Sequence, residues 1–275
     1  MPETLTRSYC DRLWSQQTRT FDHGEAAADY WDRRSQTFHC ACQESNYAEE
    51  LIKRMDLRPL DSVLDVGSGC GAVAIPLARR GIDVTALDIS QIRLEKLSRK
   101  AAAEELDNIN ILNLDWDRVT VGVEVQPHDI VLLSRNICTR LSETLKKVSL
   151  AAKNAFYITW RAERTDPFEV ELAAALGKDH LFFPDYSIMS AALCQMGINV
   201  TTEIFEDISR EQFDSPRAAA LSFSRGAPIE ERQYTRLLEI AGKYLKENDS
   251  GYSLVRKTRW ALISWKKSSL NSGFR

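Results

Sequence analysis

An acid and three glycines alternate along Asp65-x-Gly67-x-Gly69-x-Gly71, directly after the apolar run Ser62–Val66. Glycines at such spacing let the backbone turn tightly and approach a ligand with no Cβ between. Asp65 at the head of the turn repels a pyrophosphate and welcomes an amino group. A second acid, Asp88, closes the next apolar run, Asp83–Asp88, where a carboxylate can take both hydroxyls of a ribose. A third, Asp115, follows Asn110–Leu114 and precedes Trp116, a pair that offers polar partners and a flat face to adenine. The combination describes a nucleotide-like ligand carrying an amino group rather than a diphosphate.

Those acids need strand ends to stand on, and the pattern supplies them. Ser62–Val66, Asp83–Asp88, Asn110–Leu114, Asp129–Leu133 and Ala155–Trp160 read as strands, separated by the helical stretches Ala72–Arg80, Ser90–Glu105 and Leu141–Lys153. Strands alternating with helices imply βαβ units, a parallel sheet and right-handed crossovers, with ligands outside the carboxyl ends of the strands. Gly81 suits a helix C-cap, and Pro76 is compatible with a helix only in its first turn. Beyond this series, Pro184–Met196 reads as a helix ended by Gly197 and Asn199–Phe205 as a sixth strand. Ser209–Gln212 fits a capping box opening a helix towards Ser222, and Glu230–Lys246 is helical, with Pro228 suiting its first turn. Tyr252–Trp265 reads as a strand or hairpin.

The segments Val63–Ala72, Val84–Ser90, Leu114–Trp116 and His128–Ser134 together resemble the class I S-adenosylmethionine-dependent methyltransferase family, over about residues 59–205. The resemblance implies an α/β, Rossmann-like, seven-stranded, mostly parallel sheet with an antiparallel last strand, a role that suits Arg259–Trp265. It implies S-adenosyl-L-methionine as cofactor and S-adenosyl-L-homocysteine as product. Asp65, Gly67, Ser68, Gly69 and Gly71 would line the methionine moiety, Asp88 the ribose, Asp115 and Trp116 the adenine; Ile89 would pack on the ring and Ser134 would sit near the methionine end. Ala27–Phe38 looks like a helix laid over the cofactor, with Tyr30, Trp31 and Phe38 either closing the site over the ligand, Tyr30 as a cofactor contact, or packing the helix onto the core. Four parts are expected: 1–58 an N-terminal helical cap, 59–205 the cofactor-binding core, 206–250 a helical insertion or lid, and 251–275 the last strand and tail.

The chain has 275 residues, with 36 Lys and Arg against 39 Asp and Glu, a net charge of −3. No broad positive field for nucleic acid follows from that balance. The strand-end sequence Ser134–Cys138 lacks the Asn/Asp-Pro-Pro-Tyr of amino-methylating DNA or protein-glutamine enzymes, and no Pro-Cys dipeptide supplies a cytosine nucleophile. These absences favour a small-molecule acceptor. The six cysteines are scattered, only Cys40 and Cys42 lie close, and no second pair makes a metal site. Free thiols, no long apolar run and no apolar leader point to a cytoplasmic protein with no membrane partner. Candidates for the acceptor's mouth are His39, Tyr47, Arg135, Arg161 and Tyr186, none of them distinguished as a catalytic base; Arg135 can pair with a substrate carboxylate or phosphate, or be a surface arginine. Two other readings stay open, an NAD(P)-dependent oxidoreductase and a methyltransferase-like binding protein without turnover. The oligomeric state is not legible.

Overall fold

In the computed structural model the described residues are 7–17, 24–37, 43–136, 140–163, 165–178, 184–224 and 228–267. Five strands carry the alternating series: β2 (Ser62–Val66), β3 (Asp83–Asp88), β4 (Ile109–Asn113), β5 (His128–Ser134) and β6 (Ala152–Arg161). They pair in parallel, β3 and β5 flanking β2, β4 beyond β3 and β6 beyond β5. The interiors of β2, β3, β5 and β6 are buried on both faces, which is why they read as continuous apolar runs, while the edge strand β4 is only partly buried.

Helices α4 (Ala74–Ala78), α5 (Gln91–Ala103) and α6 (Leu141–Ala151) make the crossovers. Ser90 caps α5, its hydroxyl accepting from the Arg93 amide at 3.3 Å, and the helix buries Leu94, Leu97 and Ala101. The helix at Pro76 is shorter than its sequence suggests, because only 74–78 hold helical geometry around that proline. Past β6, α7 (Pro167–Ala175) starts at the cap Asp166, and α8 (Tyr186–Gln195) starts at the cap Asp185.

The expected seven strands are nine. The sheet runs β1-β7-β9-β6-β5-β2-β3-β4, with β1 (Gln43–Ser45) added at the edge and β8 (Leu245–Asn248) hung on β9 (Gly251–Lys266). Without β1 and β8 the expected seven strands remain, and the last, β9, runs antiparallel to β6 as expected. The sixth strand also differs from its expected bounds. It is β7 (Thr201–Phe213), so the helix expected from Ser209 is strand, and α9 (Pro216–Phe223) begins only at its cap Ser215. The cause is pairing: β7 matches β9 residue for residue from Thr201↔Ser264 to Phe213↔Tyr252, which outweighs a local capping signal. Phe205, Asp207, Ser209 and Phe213 turn inward; two of the four are polar, which disguises the period-2 pattern.

One face of the sheet is covered by α6, α8 and α1 (Arg7–Gln17), whose Trp14 is fully buried with its ring 5.0 Å from Trp160. Asp11 of α1 also accepts the Ser142 amide at 3.0 Å, capping α6 from outside. The other face holds α4, α5 and α3 (Tyr47–Ile52). The segment before β2 is therefore distributed over both faces rather than gathered into one cap: α1 packs on α6 and α8, α2 (Gly24–Thr37) on α5, and α3 against β7. Beyond the sheet, the long β7–β9 ladder carries a separate small core of α7, α9 and α10 (Glu231–Tyr244), built around Phe168, Phe213, Phe223 and Leu237. Pro228 lies before α10, whose start is closed by a Glu230–Gln233 capping box.

Candidate functional site

The turn from β2 to α4 has all three glycines in left-handed backbone, Gly67 at φ +74°, Gly69 at +55° and Gly71 at +80°. Two of them are also required by neighbours. A Cβ on Gly71 would stand 2.4 Å from Leu97 Cδ1, and one on Gly67 would stand 2.2 Å from Asn136 Nδ2. The loop is pinned by backbone: the Gly67 and Ser68 amides donate to the Leu87 carbonyl at 2.7 and 3.0 Å. Asp88 completes the tie, one carboxylate oxygen accepting the Gly69 amide and the other the Ser90 amide, both at 2.8 Å. Burial raises the Asp88 pKa, against the pull of those amides and of the Arg93 charge.

Asp65 ends β2 almost wholly buried, and its Oδ1 has no hydrogen-bond partner among the described residues. Burial, with the charge of Asp88 added and that of Arg135 opposing, pushes its pKa up to about 7. The Ser68 hydroxyl is buried and unpartnered too. Orphaned buried polar atoms are rare and costly. A buried carboxylate accepts but does not donate, so the partner it lacks is a cation or a donor, and an α-amino group fits that requirement. On this test the residues present suit S-adenosylmethionine.

The other expected contacts are scattered differently. Ile89 is half-buried, its carbonyl accepting Asn113 Nδ2 at 3.0 Å. Asp115 closes its own turn by accepting the Asp117 amide at 2.9 Å, with Arg118 at 3.6 Å. Trp116 is buried in the core, its indole nitrogen without a partner among the described residues. The Lys147 ammonium donates to the Trp116 carbonyl at 2.8 Å and lies 5.9 Å from its ring centroid. Tyr30 is 39% exposed on α2, edge-on to Trp31. The α2 side chain that reaches the β3 end is Asp32, which accepts the Ser90 hydroxyl and the Ile92 amide, the latter at 3.4 Å. Asp32 lies inside the aromatic segment singled out in the sequence but carried no expectation of its own. Phe38, His39, Cys40, Cys42 and Cys138 fall outside the described residues. Tyr186, the first residue of α8, packs partly buried against the core.

At the ends of β5 and β6 the structure brings Tyr47 and Ser134, each singled out in the sequence, together with Thr159, which was not. The Tyr47 phenol meets Ser134 Oγ at 2.8 Å and Thr159 Oγ1 at 2.5 Å, and Thr159 also accepts the Arg135 amide at 3.0 Å. Burial raises the Tyr47 pKa above that of an ordinary phenol, so it serves as a neutral hydroxyl rather than a base. The Arg135 guanidinium rests 4.1 Å from the Tyr47 ring centroid and 5.9 Å from that of Trp260. Next along the chain, Asn136 donates to the Val66 carbonyl at 3.1 Å and so joins this cluster to the glycine turn. Arg161 sits 5.8 Å from Trp260 but is held by Asp166 at 3.5 Å. No group of three His, Cys, Asp or Glu that could hold a metal occurs among the described residues, and no helix there is long and apolar enough to cross a membrane.

Residues 63–154 match a family model described as a methyltransferase domain. An uncharacterized protein of Haemophilus influenzae is 26% identical over 260 residues, 92% of this chain and 94% of its own. The 23S rRNA (uracil(1939)-C(5))-methyltransferase RlmD of Photobacterium angustum is 29% identical over 113 residues, 40% of this chain and 51% of that protein. Among solved structures, coclaurine N-methyltransferase bound to N-methylheliamine and S-adenosylhomocysteine superposes with a TM-score of 0.51 at 12% identity, covering 94% of this chain and 93% of that one. The central stretch of the chain is thus similar to a methyltransferase domain, and the fold around it is similar to that of coclaurine N-methyltransferase.

Proposed function

We propose that this chain methylates a small-molecule acceptor, with the cofactor held by Asp65, Gly67–Gly71 and Asp88 and the acceptor received at the ends of β5 and β6. The observation that carries the cofactor assignment is the orphaned, buried carboxylate of Asp65 at the head of the glycine turn. In this reading Asp65 binds the amino group, the turn's backbone approaches the methionine moiety, and Asp88 presents its remaining lone pairs to the ribose. Ile89, Asp115 and Trp116 stand at the next strand ends as the adenine side, Ser134 stands at the methionine end, and Tyr30 belongs to the covering helix α2.

The bound cofactor supplies an electrophilic methyl group on sulfur. What remains for the protein is to hold a nucleophile in line and keep water away, and orientation of that kind accounts for effective molarities on the order of 10⁵ M. Tyr47, Ser134 and Thr159 form a fixed, buried hydroxyl array that holds the ends of β5 and β6 in place beneath the acceptor. The net charge of −3 supports a small acceptor over a nucleic acid. Coclaurine N-methyltransferase, similar in fold, is seen with a small amine; the rRNA enzyme similar over part of this chain motivates the rival, an RNA acceptor. Incubation with labelled S-adenosylmethionine and a fractionated cell extract tests the reading. Label in dialysable metabolites supports it, and label confined to RNA overturns it.

A further inference from the structure

We propose that Arg135 is the receptor for an oxyanion on the acceptor, a carboxylate or a phosphate monoester, so that the methylated molecule is an anion. This rests on the methyl-transfer reading of the same site and names the acceptor's chemical class.

Arg135 occupies the residue after Ser134, between the hydroxyl cluster and the Asn136 that touches the glycine turn. Its backbone is left-handed, φ +53°, a conformation an L side chain adopts at a cost of about 1–2 kcal/mol. The Arg135 amide, donated to Thr159 Oγ1, holds it there. Strain of this sort at the carboxyl end of a central strand is a common mark of a functional position. The guanidinium is exposed and stacked on the Tyr47 face, which fixes the plane of its fork while leaving the N–H edge unused.

Its neighbours make the contrast. Arg161 is paired with Asp166, Arg256 with Asp166 and Glu169, Arg54 with Glu50 and Glu203, and Arg259 with Glu163. Arg135 has no carboxylate partner among the described residues, and no protein hydrogen bond to its guanidinium is seen there. A second donor lies in the same cluster: Trp260, beside the Arg135 cation, is 8% exposed with an indole N–H that has no partner among the described residues. A planar fork on an aromatic bed and an N–H without a partner among the described residues, with Asp65 acting on the guanidinium by charge but not paired with it, make a donor set suited to bidentate capture of a carboxylate or phosphate. The acceptor's anion would anchor at Arg135 and leave its nucleophilic end to reach towards Ser134 and the glycine turn.

The test uses the full chain saturated with S-adenosylhomocysteine and three aryl probes, benzoate, phenyl phosphate and neutral benzamide, titrated by ligand-observed NMR. At least one anion should bind about ten-fold or more tighter than benzamide, the scale of a charge-assisted hydrogen bond. Benzoate against phenyl phosphate separates the two oxyanions. Arg135→Gln should erase the preference, and Arg135→Lys should keep only part of it because the fork is gone. Trp260→Phe, which keeps the ring and removes the N–H, should weaken the anion several-fold, and each variant's circular dichroism reports whether it folds. A wild-type protein with no preference for either anion, or an Arg135→Gln variant that folds and keeps the preference, overturns the proposal. Failure of S-adenosylhomocysteine itself to bind the wild type would instead overturn the cofactor reading beneath it.

Discussion

The two halves of the site are built by different means. The β2–β3 half is backbone: three left-handed glycines, amides tied to the Leu87 carbonyl, and Asp88 binding two amides within a stretch from Asp65 to Ser90. The β5–β6 half is side chains drawn from afar, with Tyr47 bonded to Ser134 and Thr159 across 87 and 112 residues of sequence. In the proposed reading the backbone cradle serves the part of the ligand that does not vary, the cofactor. A side-chain cluster can change with the acceptor while the cradle stays. The comparison predicts which half breaks abruptly and which degrades by steps.

The most severe effect should come from the cradle's geometry. Gly71→Ala adds a Cβ against Leu97 and Ile75 in left-handed backbone, and should cost about 2–4 kcal/mol of stability in urea denaturation, the combined scale of overpacking and backbone strain. A loss well under that would mean that α5 yields and that the cradle is softer than its packing implies. Asp88→Ala comes next. It should weaken S-adenosylmethionine binding by about 1.5–3 kcal/mol in calorimetry, since it removes a charged acceptor and loosens the turn; an unchanged dissociation constant would detach Asp88 from the ligand.

A pH effect should separate the halves further. Asp65 has a folded-state pKa of about 7 against an ordinary 3.8, so its neutral form is the one the ligand-free fold prefers. The stability this carboxyl contributes is therefore complete below about pH 4 and lost as pH rises through 7. Pairing with an ammonium reverses that preference. The thermal stabilisation given by S-adenosylhomocysteine should then grow between about pH 6 and pH 8, and Asp65→Asn should flatten that growth. Growth that persists in the variant would assign the titration elsewhere. The smallest change belongs to the side-chain half: Tyr47→Phe should cost about 1 kcal/mol of stability, because Ser134 and Thr159 lose one hydroxyl partner each in a buried setting. A cost several times larger would show the cluster to be as rigid as the cradle.

The legible part of this protein follows the same division. The turn, the strand-end acids and the alternation of strands and helices are local signals, so the parallel sheet could be read from residues 59–205. The long β7–β9 ladder could not, because Asp207 and Ser209 face inward as polar residues and a capping pattern at Ser209 competed with a pairing partner some fifty residues away. Asp32 hid within a segment read for its aromatics, and Asn136 has no sequence signature at all.

By itself, then, the sequence determined the glycine turn and its strand-end acids, because glycine conformation and strand-end placement depend on a few adjacent residues. Tyr47, Ser134 and Arg135 could each be singled out in the sequence, but only the tertiary structure brought them together with Thr159 and Trp260. Tyr47, Ser134, Arg135, Thr159 and Trp260 come from α3, β5, the turn after it, β6 and β9, and their meeting depends on sheet order and helix packing, which no local spacing encodes.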